Sequence, residues 1–285
     1  MRVTTLNFST TLQEPTGQQV VDLLNQKLAT ETDRQNMFFA AVCSQTEGVS
    51  DPQDWSFEER CLVLGQYIAT YNTNGNPDFA IGVEGKYRYS KYLLDESPSA
   101  GVEAPVFELA GQYMRFRPLT GRMMGVLEGQ CRNRAEWVIG IVAAMSQFID
   151  KDPYGESTQA CEQRINKRMQ WILALPASDL NHLIGHWEYA RSLMRHYFDW
   201  QIQDQGAVVL PKEVGLPPTR FCTLDAFPAT LVYALGESTL WSDLAVSQDQ
   251  EWCSTDLGNA PDGDQADQDA PAAQADQDVT TEGVA

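Results

Sequence analysis

The residues that most invite chemistry are the chain's three histidines, His182, His186 and His196. All three fall in one stretch that reads as a single helix. At about 100° per residue they lie within about 80° of one another around the axis. At ~1.5 Å rise, however, His196 stands about 15 Å beyond His186, so one metal cannot take all three. His182 and His186 have the HxxxH spacing that zincins use. Leu183 stands where that motif carries its general-base glutamate, and a third ligand would have to come from elsewhere, such as Cys161 or Cys222. A small zinc-dependent hydrolase using His182 and His186 is thus the alternative reading. Exposed or half-buried histidines, with no metal or cofactor, are the expectation.

Other catalytic patterns are absent. The pairs Glu58–Glu59 and Asp95–Glu96 are ordinary, and the first suits the first turn of a helix, where negative charge complements the macrodipole. No serine sits in a G-x-S-x-G elbow and no G-x-x-x-x-G-K-[ST] loop occurs. Gly121, Gly125 and Gly129 fall within a helical pattern, not after a strand that could open a nucleotide fold. A non-enzymatic protein is expected.

The arginines form the more informative group. Arg115, Arg117, Arg122, Arg132 and Arg134 fall within twenty residues, with Tyr113, Met114 and Phe116 interleaved. Arginine with aromatics is the composition that interface hot spots favour. Residues two apart on a strand point the same way, so Arg115 and Arg117 share a face. Arg122 follows within a turn of the next helix. Arg115, Phe116, Arg117 and Arg122 are therefore the candidate partner-binding residues, weighed against a merely solvated strand and helix face.

The elements that must position these residues follow from periodicity. Residues 15–45 predict two short helices. Val20, Val21, Leu24 and Leu28 form the first stripe, entered through Pro15 and Thr16; Thr32 with Gln35 is a capping box that starts the second. Ser56 with Glu59 is a clearer box, followed by Cys61, Leu64, Ile68 and Tyr71 at helical spacing. Phe79, Ile81 and Val83, then Tyr87 and Tyr89, alternate around Gly85 and predict a hairpin. Residues 106–109 and 113–117 flank Ala110-Gly111-Gln112 as a second hairpin, ended by Pro118.

Residues 119–205 read as wholly helical. Met123, Met124, Leu127 and Cys131 mark one helix. Val138, Ile141, Val142, Met145, Phe148 and Ile149 mark the next, and Cys161, Ile165, Met169, Ile172 and Leu173 a third, stopped by Pro176. The longest carries Leu180, Ile184, Trp187, Met194 and Tyr197, with Glu188, Arg191 and Arg195 facing water. Four such helices predict an antiparallel bundle. Prolines 211, 217, 218 and 228 make 206–230 extended, and 231–241 a last short helix or strand. The resulting fold class is α+β, predominantly α. Its segments are a helical region 1–78, a hairpin region 79–118, a bundle 119–205, an irregular segment 206–255 and a disordered acidic tail 256–285.

Charge divides the chain sharply. Residues 221–285 hold 13 of the 39 acids and no Lys or Arg, whereas residues 1–220 hold the other 26 acids and all 20 bases. Such a tail repels phosphate backbones and argues against nucleic-acid binding. It also contains Gln265-Ala266-Asp267-Gln268-Asp269 repeated from Gln274, with no aromatic after position 255. That composition cannot offset its ordering entropy. It is a second candidate occupant of the arginine patch. No apolar run is long enough for a signal peptide or a membrane helix, so a cytoplasmic location without membrane contact is expected. The six scattered cysteines then read as reduced thiols.

Tyr113-Met114-Arg115-Phe116-Arg117-Pro118-Leu119-Thr120-Gly121-Arg122, followed by helices, resembles the phage tail-assembly chaperone and baseplate-hub assembly group. Those proteins have a strand ending in an R-P-L-T-like step before a run of small helices. Residues 150–153, then Leu173-Ala174-Leu175-Pro176-Ala177-Ser178-Asp179-Leu180 leading into the long helix, resemble the group's later stage, with Asp179 and Leu183-Ile184 at the corresponding places. The resemblance covers residues 106–205. Many baseplate-hub relatives carry a cysteine cluster after the long helix, where this chain has Cys222 alone. The resemblance implies no catalytic residue. It implies a chaperone or minor structural component that binds another tail or baseplate protein, such as the tape measure or hub, in the host cytoplasm, and leaves retention in the virion open.

Overall fold

The computed structural model describes residues 1–26, 30–73, 76, 78–81, 87–95, 103–149, 157–194, 197–204 and 206–236. The acidic segment 256–285 lies outside the described residues, as do Val83, Gly85, Arg195, His196 and Cys253. The described chain is α+β and predominantly helical. None of its helices is long and apolar enough to cross a membrane.

The N-terminus forms strands that the hydrophobic pattern did not announce. β1 (Arg2–Thr4) and β2 (Phe8–Leu12) make a hairpin, and β3 (Cys43–Gly48) pairs with β2 on its other side. In β2, Phe8, Thr10 and Leu12 point inward, the period-2 pattern of a half-buried strand. α1 (Gly17–Asn25) starts at Thr16, whose hydroxyl accepts from Gln19 N–H while the Gln19 side chain accepts from Thr16 N–H. α2 (Glu31–Val42) runs directly into β3, and its start differs from expectation. The cap is Thr30, whose hydroxyl accepts from Asp33 N–H at 3.1 Å, not Thr32 with Gln35. Thr32 is inside the first turn and buried, its N–H donated to Glu128. Two threonines two apart offer alternative cap registers, and tertiary burial selects between them.

α3 (Phe57–Tyr67) has the expected Ser56–Glu59 box and ends in a wide-turned segment over Ile68–Asn72. The first hairpin is short: β4 (Ala80–Ile81) pairs with β5 (Tyr87–Arg88). The second is β6 (Phe107–Leu109) with β7 (Gln112–Phe116). Ala110 and Gly111 both have positive φ, 48° and 70°, the two-residue turn whose twist matches the flanking strands.

Among its described residues, the stretch expected to be wholly helical contains four helices and two strands. α4 (Gly121–Gln130) and α5 (Arg134–Met145) form as anticipated, but the chain then leaves the helix at Ser146. β8 (Ser146–Phe148) becomes the third strand beside β7, with Met114 opposite Phe148 and Phe116 opposite Ser146. Phe148 is half-buried in the sheet and Ile149 is 45% exposed, because the open edge of β7 accepts strand hydrogen bonds here. α6 (Thr158–Leu173) and α7 (Ala177–Met194) follow. Leu173 is exposed, and Tyr197 lies past the end of α7, fully buried. β9 (Asp199–Gln203) and β10 (Gly206–Leu210) form a further hairpin. Trp200 and Ile202 alternate with Gln201 and Gln203, a strand signal that the helical reading overrode. α8 (Ala229–Leu235) is the short last helix.

Two hydrophobic cores result, and their membership crosses the linear segments. The first gathers residues of β1–β3, α1–α3 and 79–92, and also Tyr197, Phe198, Val209, Phe221 and Phe227 from far along the chain. It is rich in aromatics: Phe8 stacks on Trp55 with centroids 4.0 Å apart, and Phe79 on Tyr89 at 4.8 Å. The second gathers the inner face of β6–β7–β8 with α4–α7, Trp200 and Ile202. Phe57, at the start of α3, packs against both.

Candidate partner-binding site

The start of α3 carries three consecutive charged residues into the interior, just after Phe57. Glu58, Glu59 and Arg60 are all buried, with 8%, 1% and 3% of their surface exposed. Glu58 accepts the backbone N–H groups of Tyr197 and Phe198, at 2.8 and 3.2 Å. Glu59 closes the Ser56 cap and accepts from Asn7 Nδ2 at 3.0 Å. The Arg60 guanidinium donates to Gln35, Asn36, the Pro52 carbonyl and the Thr32 carbonyl, and lies over the Phe39 ring. Burial draws its pKa down to about 10, offset in part by surrounding acids. Gly121 makes this passage possible: a Cβ there would stand 2.4 Å from an Arg60 nitrogen. The Glu58–Glu59 pair therefore fixes architecture, a role invisible in sequence, where a charged first turn reads as solvated.

The β7 arginines separate by the pleat of the strand. Arg115 and Arg117 are half-buried on one side, while Met114 and Phe116 are buried on the other. Phe116 stacks on Phe107 in the core, and its edge reaches the cleft described next. Arg122 does not join them. It is clamped to Asp51 at 2.9 Å and Asp54 at 3.0 Å, with Gln53 and Thr158 also in reach, and its side chain is only 12% exposed. It fastens α4 to the turn over Pro52–Asp54, so the sequence-adjacent arginines belong to different places.

A cleft of about 450 Å³ opens where β7 meets α3, a size common for ligand sites. Phe57, Met145, Met194 and Trp200 contribute apolar lining, and Arg115, Arg117 and Arg191 supply positive charge. Arg191 was expected in water. It instead lies between two indoles, 5.3 Å from the Trp187 ring and 5.2 Å from Trp200, and donates to the Trp200 carbonyl. Cation–π contacts of this kind contribute roughly 0.5–2 kcal/mol each. Trp187 is buried and Glu188 faces solvent, as expected, whereas Ile184, expected to be buried, is only half-buried. Arg115 donates to Gln147 Oε1 at 3.0 Å and pairs with Glu103.

The outward face of the β6–β7–β8 sheet continues from the cleft. The strand registers place Glu108, Tyr113 and Ile149 in one row and Arg115 beside Gln147 in the next, with Val106 immediately before β6. Val106, Tyr113 and Ile149 are 53%, 56% and 45% exposed. Single exposed apolar side chains are common; exposed apolar groups gathered beside arginine have the composition that interaction surfaces favour. Glu108 accepts a hydrogen bond from Tyr113 and raises the phenol's pKa. The missed signal was Ile149, read as a core position of a helix.

The histidine pair stays apart from this site. His182 and His186 are exposed on α7, and His186 stacks on Phe107 with centroids 4.3 Å apart. Among the described residues no group of three His, Cys, Asp or Glu side chains is placed to hold a metal ion. The five described cysteines are free thiols. Burial pushes Cys43 up to about 12 and Cys131 to about 11, with Cys61 raised further. Comparison with protein-family models, with curated proteins and with solved structures finds no match for this chain.

Proposed function

We propose that the chain is a non-enzymatic assembly factor or minor structural component of a phage tail or baseplate, which binds another tail protein in the host cytoplasm. The observation that carries the binding role is the exposed pair Tyr113 and Ile149 beside Arg115, with Val106 exposed just before β6, next to an arginine-lined cleft. Tail context comes from the resemblance over residues 106–205. Arg115 and Arg117 remain the proposed contact arginines, and Phe116 supports them from the core side. Arg122 leaves the proposed interface, since Asp51 and Asp54 hold it elsewhere. The test is co-purification with each tail and baseplate protein of the encoding phage. One should be captured by the wild-type chain and lost with Tyr113→Ser/Ile149→Ser, the variant folding normally by circular dichroism. Capture by no tail protein, or capture unaffected by that variant, overturns the reading.

A further inference from the structure

We infer that the free edge of β6 takes up an extended strand of the bound tail protein, one that carries a basic residue two positions from a large apolar one; this rests on the binding role proposed above. The edge follows from the ladder. Tyr113 C=O accepts from Ile149 N–H and Arg117 N–H donates to Met145 C=O, so these alternate residues of β7 direct their backbone groups at β8. Backbone direction alternates along a strand, so Gln112 and Met114 direct theirs at β6, where they face Leu109 and Phe107. In a planar trans peptide the N–H and C=O point opposite ways. The Val106 C=O and both the N–H and the C=O of Glu108 therefore point away from β7. β6 is the outer strand of its sheet, and among the described residues none bonds to these groups. The opposite edge is closed: there the outward Ser146 C=O accepts from the buried Arg168 guanidinium on α6. An unpaired edge is a template for another strand.

The side chains at this edge say which strand fits. Main-chain bonds to a sheet edge supply affinity, and alternate side chains supply specificity. Glu108 is exposed in the row of Tyr113 and Ile149, and its carboxylate accepts from the Tyr113 hydroxyl. Val106, two residues earlier, is 53% exposed. In an antiparallel register one partner residue stands opposite Glu108, and the next on that face stands opposite Val106. Opposite charges across strands stabilise and like charges destabilise. The first partner residue is therefore Lys or Arg, and the second is apolar. A second copy pairing about Glu108 would set two carboxylates opposite each other, in chains that each carry a net charge of −19. A strand from a different chain meets neither repulsion.

The probe is a short peptide with threonine at alternate positions and valine, lysine and valine between them. It is titrated into the full-length chain carrying isotopically labelled amide nitrogen. The Glu108 amide signal is expected to shift saturably and its hydrogen exchange to slow. A fully N-methylated peptide of the same sequence should leave that signal unmoved, and glutamate in place of the lysine should weaken binding several-fold. Glu108→Pro removes the outward N–H without touching the β6–β7 ladder, as proline on an edge strand allows. It should weaken the lysine peptide roughly tenfold, the effect of one hydrogen bond at the upper end of its net contribution. Glu108→Gln keeps the N–H and should bind the lysine and glutamate peptides alike. No shift in the wild-type chain, or an equal shift with the N-methylated peptide, overturns the inference even where Glu108→Pro does not fold. A wild-type dimer in sedimentation that the lysine peptide dissociates would make a second copy the occupant and overturn the partner strand. Tail-protein capture lost in Tyr113→Ser/Ile149→Ser but unchanged in a folded Glu108→Pro sinks this inference and leaves the binding role standing.

Discussion

The two cores treat charge in opposite ways. Around α3, Arg60 and Glu59 are buried and bonded to backbone and amide groups on several segments, so their charges hold the first core shut. Beside β7, Arg115 and Arg191 line a cleft together with Phe57, Met145, Met194 and Trp200. A buried charge whose donors all reach fixed protein acceptors is architectural, since removing it leaves those acceptors desolvated and unpaired. The cleft arginines are only half-buried and keep part of their surface toward solvent. Residue type does not separate the two roles; only the surroundings do.

The strongest way to break this comparison is to delete one anchor from each core. Arg60→Ala is expected to cost about 3–5 kcal/mol, the range for removing a buried charged group that bridges several partners. Trp187→Ala should cost about 3–5 kcal/mol as a buried aromatic, and it removes one indole from Arg191. Denaturant midpoints measure both. A loss below 1 kcal/mol for Arg60→Ala would mean that its network is not what closes the first core.

A sharper probe leaves Arg60 in place and denies it room. Gly121→Ala puts a methyl group 2.4 Å from an Arg60 nitrogen; overpacking of this kind costs about 1–3 kcal/mol. Neutral or increased stability, from better helix propensity alone, would show that the guanidinium moves aside freely. Ser56→Ala is expected to lose about 0.5–2 kcal/mol by breaking the cap that sets the start of α3, read as a lower thermal midpoint.

The smallest stability effect belongs to the outward sheet face. Tyr113→Ser/Ile149→Ser should stay within about 0.5 kcal/mol of wild type, as exposed substitutions do, while removing partner capture. Native-state alkylation adds a chemical check on burial. Cys43, Cys61 and Cys131 keep their protons at pH 8 because burial raises each thiol. They should react with iodoacetamide only after denaturation, as followed by mass spectrometry. Modification of Cys61 in the folded protein would contradict the closed first core.

Sequence by itself determined the local elements whose signals are contained in a few adjacent residues. The Ser56–Glu59 box, the Ala110-Gly111 turn and the apolar spacing of α4, α6 and α7 belong to this group, because capping, φ preference and helical periodicity act over one or two turns. It also placed Arg115 and Arg117 on one face. Tertiary structure decided everything that depends on a distant partner. Residues 146–148 become a strand because β7 offers an open edge; their own apolar spacing continues a helix. Asp199–Gln203 alternates, but the long helical run before it hid the change of period. Glu58–Arg60 read as a solvated first turn until α2, residue 7 and residues 197–198 closed over them. Arg122 and Arg191 exchanged expected places for the same reason: Asp51 and Asp54 captured one, and Trp187 with Trp200 drew the other to the cleft. A charged side chain goes where its desolvation is compensated, and that compensation comes from residues far away in the chain.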